Sequence, residues 1–228
     1  MKIIIKSFVL ICLSLCMGCT STTNPLPKQE MIVQDEDPDS SLIYLESDNT
    51  PDRVIWQKPD LILDLLGDMY DKVVADIGAG TGFFTFRLLQ HAKKVIAVDI
   101  DKAPLDKMAQ LANKLDTSIS NKLVIKVIKP SDPQLDPHSV DIVLLSNTYM
   151  YIQNRVNYLK TLKAYLKKDA RVLIIDYKKK NLPFGPPIDE RVNLDTVEKE
   201  LLNAGYNIQK SDDVTLDYQY IVLANVKQ

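Results

Sequence analysis

From residue 51 onward, short apolar runs alternate with stretches whose apolar positions recur every three or four residues. The runs are residues 73–77, 95–100, 123–128, 140–145 and 172–176. Each is apolar almost throughout instead of alternating, the pattern of a strand buried on both faces of a parallel sheet. Helical spacing occupies residues 83–90, 103–115 and 155–166. An earlier helix is predicted from Pro59, with Leu61, Ile62, Leu65 and Leu66 on one face and a stop near Gly67. This alternation predicts an α/β domain, a parallel sheet covered by helices. The rhythm changes at the end. A helix over 194–204 stops at Gly205, and two strands, 206–210 and 218–226, are separated only by a short turn-like stretch containing Asp212 and Asp213. Strands that close run antiparallel. Five parallel strands and a terminal hairpin make seven.

The first nineteen residues are of another kind. Lys2 and Lys6 precede an apolar stretch over 7–15, and Met17-Gly18-Cys19 follows. A short apolar core behind a basic start predicts a signal peptide over 1–18, too short for a comfortable membrane span. Its end resembles a bacterial lipobox, with Cys19 as the lipidated residue and Cys16 standing where that motif usually has Leu. Residues 19–50 are polar, with Pro25, Pro27, Pro38 and an acidic run at 35–37. They read as a flexible tether, leaving 51–228 as the folded domain. The expected location is therefore a membrane-anchored lipoprotein on the periplasmic or outer face, or the cytoplasm if the signal is not used.

Composition narrows the chemistry. With 228 residues there is room for one sizeable α/β domain behind that leader, not two. All three cysteines (Cys12, Cys16, Cys19) lie in the leader, so the domain has no disulfide framework. With only His91 and His138 besides, no metal site is expected. A formal net charge of −2 gives no basic footprint for nucleic acid.

The segment that carries chemistry is Asp76-Ile77-Gly78-Ala79-Gly80-Thr81-Gly82-Phe83, a strand end, a glycine turn and a helix start. Three of the chain's seven glycines lie in that turn, where missing Cβ atoms permit a sharp bend and close approach of a ligand. A dinucleotide fingerprint would require glycine at 83, where Phe83 stands. Asp76 would repel a pyrophosphate but suits a ligand carrying an ammonium group. Asp99, 23 residues later at the end of the second run, is placed to take hydrogen bonds from a ribose. Asp101 is the N-cap candidate of the helix that follows.

The stretch from Asp76 to Gly82 together with Asp99 resembles motifs I and II of the class I S-adenosylmethionine (SAM)-dependent methyltransferases, a likeness running from about Arg53 to Val226. The resemblance implies a Rossmann-like sheet of order 3-2-1-4-5-7-6 with its last strand antiparallel. It implies SAM as cofactor, held by Asp76, Gly78, Ala79, Gly80, Gly82, Asp99, Ile100 and Asn147. In the family, the loop after the third strand usually offers an acidic or amide side chain to adenine. Here that loop reads Lys129-Pro130-Ser131-Asp132-Pro133, so Asp132 or Ser131 is the candidate. After the fourth strand, Asn147-Thr148-Tyr149 lacks the two prolines that often mark amino-methylating members. Substrate-side candidates are Trp56, in the segment 53–59 read as a lid, with Tyr149 and Tyr151. The lysines at 178–180 follow the fifth strand. No catalytic base stands out. The acceptor is expected to be a small molecule or lipid; the competing reading is an exported, non-catalytic binding module.

Overall fold

A computed structural model describes residues 52–226; the leader, Cys19 and the tether lie outside the described residues. Two short helices, α1 (Arg53–Gln57) and α2 (Pro59–Leu66), precede β1 (Val73–Ile77). Then follow α3 (Thr85–His91), β2 (Lys94–Asp99), α4 (Lys102–Ala112), α5 (Thr117–Ser120), β3 (Leu123–Val127) and β4 (Val140–Ser146). The remainder is α6 (Arg155–Lys163), β5 (Leu166–Tyr177), α7 (Leu194–Asn203), β6 (Tyr206–Asp212) and β7 (Gln219–Val226), with 3₁₀ turns at Tyr149–Tyr151 and Ile188–Glu190.

The seven strands form one sheet of order β3-β2-β1-β4-β5-β7-β6. The first five are parallel, and β7 runs antiparallel to both β5 and β6. Strand order reverses between β1 and β4, which opens a crevice beyond their carboxyl ends. Alternate strand residues supply two cores. On one face Ala75, Val98 and Leu145 pack with Leu159 of α6 and Leu201 of α7; on the other Val74, Ala97 and Leu144 pack with Ile62 of α2, Leu88 of α3 and Met108 of α4. Each fully buried aliphatic side chain is worth about 1.5–3 kcal/mol. At the far edge Asp141 accepts from the Val73 backbone N–H (2.8 Å) and from Lys167 Nζ (2.7 Å), tying the amino ends of β1, β4 and β5.

The structure departs from the expected boundaries where two periodicities overlap. Leu166 continues the helical series of Leu159 and Leu162, yet α6 stops at Lys163 and Leu166 pairs with Val140 as the first residue of β5. Asp169, at φ 65°, lies within a register shift of that pair, so the polar stretch 167–169 belongs to the strand. Helix α3 begins at Thr85, because Gly82 at φ 101° holds the turn open to that point. Helix α1 was not expected; Lys58, at φ 50°, separates it from α2.

Candidate functional site

The glycine turn is the centre of the crevice. The backbone N–H groups of Gly78 and Ala79 donate to the Val98 carbonyl (2.8 and 3.1 Å), and Gly82 donates to Ala79 (3.0 Å). Gly80 N–H points to the carboxylate of Asp99, 2.8 Å from Oδ2, while Oδ1 accepts from the Asp101 N–H at 3.0 Å. The end of β2 is thereby locked to the turn, and Asp101 caps α4 through Ala103. All three glycines have positive φ, but for different surroundings. A Cβ on Gly78 would meet Thr148, one on Gly82 the Phe86 ring, and one on Gly80 nothing within 4 Å.

Two cavities meet at Gly78 and Asn147. The larger, about 270 Å³, is walled by Ile77, Ile100, Ile128, Pro130 and Ile152, with Asp99 on its polar side. Such a lobe suits a flat base with a ribose against the carboxylate. The smaller, about 160 Å³, is formed by the turn over 78–81 with Arg53, Ser146 and Asn147. Larger hollows of about 590 and 410 Å³ lie elsewhere, lined by Asp60, Asp64 and His91 and by Lys178, Lys179 and Glu198. Neither touches the turn or Asp99, so the chemistry and not the volume marks the site.

Arg53 gives the smaller lobe a cation. Its guanidinium stacks 4.0 Å from the Phe83 ring centre, whose surroundings also include Arg87 at 4.1 Å. Arg53 Nε donates to Gln57 Oε1 (2.6 Å), and the fully buried Gln57 donates to Ser146 Oγ (3.0 Å). Asp76 lies beneath the turn, 2% exposed, and accepts from Thr85 Oγ1 at 2.7 Å. Burial pushes its carboxyl up to about 6, opposed by the Thr85 hydroxyl and the Arg53 charge. Asp76 is not among the residues lining either cavity, so of the two charges beside the glycine turn only the Arg53 cation opens on the smaller lobe, where it complements a carboxylate. The open side of Gly80 leaves room for it.

The other residues singled out from sequence are distributed unevenly. Ile100 and Tyr151 line the rim of the larger lobe. Asn147, at φ 56°, lines both lobes and its Oδ1 accepts from Gln219 Nε2. Gly82 shapes the turn without lining either cavity. Asp132 is not among the lining residues: its Oδ1 accepts from Tyr165 Oη (2.7 Å) and the Gln134 N–H (2.8 Å). Trp56 is buried against Phe184 (centroids 5.0 Å apart) with Tyr177 and Tyr218 around it, so it joins α1 to the loop after β5. Tyr149 is fully buried and donates to Glu200 (2.7 Å), itself held by Arg155. Burial and that carboxylate drive the Tyr149 phenol upward, away from any role as base. Sequence reasoning placed Arg53 only in a lid, and a five-residue helix carries too little periodicity to reveal its direction.

A second buried carboxyl, Asp176 at the end of β5, accepts from the N–H groups of Met150 (3.0 Å) and Tyr177 (2.8 Å), and burial pushes it up to about 7. Asp76 and Asp176 both have folded values above the unfolded 3.8. The stability that protonation gives is therefore full below about pH 4 and is lost as pH rises through about 6 and 7. Asp212, depressed by Thr215, works oppositely, but only in acid below its unfolded value. The unfolding free energy from urea titration should fall from pH 5 to pH 8, by about 4 kcal/mol at most. A midpoint that rises over this range contradicts the assignment.

Among the described residues no group of side chains has the makings of a metal site, and no helix is long and apolar enough to cross a membrane. Residues 75–172 match the family model of a methyltransferase domain. The ribosomal RNA small subunit methyltransferase A of Mesoplasma florum is 25% identical over 130 residues, 53% of this chain and 49% of that protein. The dimethyladenosine transferase of Chaetomium thermophilum is 39% identical over 66 residues, 26% of this chain and 17% of that one. The alignments thus span about half the length of the first relative and far less of the second. Among solved structures, a SAM dependent methyltransferase from Aquifex aeolicus superposes with TM-score 0.72 at 24% identity, covering 84% of this chain and all of that one. The sheet order and this superposition give the chain the fold of the SAM dependent methyltransferases, and residues 75–172, which carry the glycine turn and Asp99, are similar to a methyltransferase domain.

Proposed function

We propose that the protein transfers a methyl group from SAM to a small-molecule or lipid acceptor. The observation that carries this reading is a small cavity that sets the Arg53 cation beside the glycine turn, with the Asp76 carboxyl buried beneath it and Asp99 locking the turn to β2. SAM, when bound, supplies an electrophilic methyl on a sulfonium. What the chain supplies is placement: Gly78, Ala79 and Gly80 give a backbone cradle, Arg53 faces the carboxylate and Asp76 the ammonium. Asp99 receives the ribose, and Ile100, Ile128 and Ile152 exclude water from the base. Orientation of this kind accounts for about 7–11 kcal/mol of a barrier.

A small acceptor is supported by the short connections between described strands, none large enough to hold a recognition domain. The relatives named for ribosomal RNA and dimethyladenosine do not extend to this acceptor. Asn147-Thr148-Tyr149 lacks the two prolines that often mark amino-methylating members, and Tyr149, sealed on Glu200, has no face to offer a flipped base. Attachment to a membrane through lipidated Cys19 belongs to the same proposal, as does a domain facing out of the cytoplasm. The second reading, a non-catalytic binding module, is favoured only by that export signal.

Calorimetric titration of the full chain with SAM, S-adenosylhomocysteine and NADH tests the proposal. Micromolar binding of the first two and none of the third supports it. Binding of NADH alone, or of no ligand, removes it. Arg53→Ala should weaken S-adenosylhomocysteine about 10- to 100-fold, the scale of a charge-assisted hydrogen bond. Equal affinity in the variant would take Arg53 out of the site.

A further inference from the structure

Exposed aliphatic side chains gather at one end of the domain. Helix α1 buries Trp56 and Gln57 but turns Val54 and Ile55 outward, 40% and 72% exposed, so its outer side is apolar as well. Val214, in the β6–β7 turn, is 85% exposed, and Ile188, in the loop after β5, is 39% exposed. Singly such residues are ordinary; here the fold brings them together. Trp56 packs on Phe184 and Tyr218, Lys58 Nζ donates to the Thr215 carbonyl (2.9 Å), and Lys178 Nζ donates to that of Asp213. Residues 52–58, 178–191 and 213–218 thus form one rim. Strand β7 runs antiparallel to β5 with Gln219 opposite Tyr177, which puts the β6–β7 turn at the carboxyl end of the sheet. Gln219 in turn donates to Asn147, which lines both lobes, so the rim borders the mouth of the cleft.

Resting on the membrane attachment proposed above, we propose that this rim lies on a phospholipid bilayer, with Val54, Ile55, Ile188 and Val214 set into the boundary between headgroups and acyl chains. The chain enters the domain at Asp52, next to Arg53, which lines the smaller lobe. An anchor at Cys19 therefore holds the domain by the face that carries the cleft. The three segments hold six Lys and Arg against five Asp and Glu, so apolar insertion and not net charge makes the contact. Four aliphatic side chains bind a bilayer weakly on their own. The anchor supplies the rest, because a tethered domain meets the surface at high effective concentration. A lipid acceptor then reaches the cleft from the bilayer without crossing water.

The test uses the full chain in phosphatidylcholine vesicles, plain or with brominated acyl chains. Flotation reports attachment. Trp56, the chain's single tryptophan and the neighbour of Ile55, reports docking, because bromine quenches only an indole close to the acyl chains. Wild type should float and lose at least about half of its fluorescence in the brominated vesicles, as expected of a side chain at the headgroup boundary. The double variant Ile55→Asn, Val214→Asn should float equally and stay unquenched. Both positions are exposed, so its melting temperature and its affinity for S-adenosylhomocysteine should match wild type. Val214→Asn alone should weaken the quenching, and Tyr70→Asn, 84% exposed ahead of β1, should leave it unchanged. A floating wild type that is not quenched, or a double variant quenched as strongly, overturns the docking and leaves the attachment standing. Quenching that requires phosphatidylserine overturns it too, since charge and not insertion then makes the contact. A chain that does not float removes the attachment and the docking with it, whereas loss of S-adenosylhomocysteine binding in wild type touches only the cofactor reading.

Discussion

Replacing Asp76 by asparagine should make the protein more stable and unable to hold SAM. The carboxylate is buried under the glycine turn, and its ordinary value of 3.8 is pushed up to about 6. At pH 7.5 the folded chain therefore keeps an ion in a place that favours the neutral acid, at a cost of about 3 kcal/mol. Asparagine has the same shape, and its Oδ1 can still accept from Thr85 Oγ1, the 2.7 Å bond that Asp76 Oδ2 makes. The cost then disappears, and the unfolding free energy from urea titration should rise by about 2–3 kcal/mol at neutral pH and by almost nothing at pH 4. In the proposed SAM site the ammonium would lose the carboxylate beneath the turn, and affinity for S-adenosylhomocysteine should fall at least about 100-fold, as when one partner of a buried pair is removed. In wild type the same ammonium favours the ionised acid, so binding below pH 6 releases a proton and weakens as pH falls through 6. Asp76→Asn should lack that pH dependence. A variant both less stable and equally tight would mean that Asp76 is a structural carboxylate with no ligand.

This opposition of stability and binding explains why the site was partly legible in the sequence. A carboxylate before a glycine turn in an otherwise apolar strand is a local inconsistency, and such inconsistencies collect where function outweighs stability. Asp76, the turn and Asp99 could be placed together because strand, turn and strand end fall in sequence order; the alternation gave a parallel sheet with a terminal hairpin, and its strand order came from the resemblance to the methyltransferases. Arg53 could not, because its direction depends on Phe83, Gln57 and Ser146, which only the fold brings together. Trp56 and Tyr149 misled in the opposite sense. Both lie near the cleft in sequence terms, but the structure spends Trp56 on an aromatic cluster and Tyr149 on Glu200. Asp132 was a plausible adenine contact until Tyr165, 33 residues away, took its oxygen.

The glycines separate fold from ligand, and two alanine variants should show it. At Gly78, φ is +74° and an added Cβ would lie 2.2 Å from Thr148 Oγ1 and 2.4 Å from its Cγ2. Thr148 has little freedom, since its hydroxyl is bonded to Ser146 and the 3₁₀ turn begins at the next residue. Backbone strain of about 1–2 kcal/mol and overpacking of about 1–3 kcal/mol add, so Gly78→Ala should lose about 3–4 kcal/mol and melt about 10 °C lower. Thr148→Ala in the same chain should restore part of this, because it removes the two closest atoms and leaves only the Cβ at 2.8 Å. Gly80 differs in kind. Its φ is +56°, and a Cβ there meets nothing within 4 Å, because it projects into the open side of the turn. Gly80→Ala should therefore cost only about 1 kcal/mol of stability. Its methyl would occupy the space in which the amino-acid end of SAM must lie, so affinity should fall well over ten-fold at nearly unchanged melting temperature. The reverse pattern, a stable Gly78→Ala and a tight-binding Gly80→Ala, would place the cofactor elsewhere than on this turn.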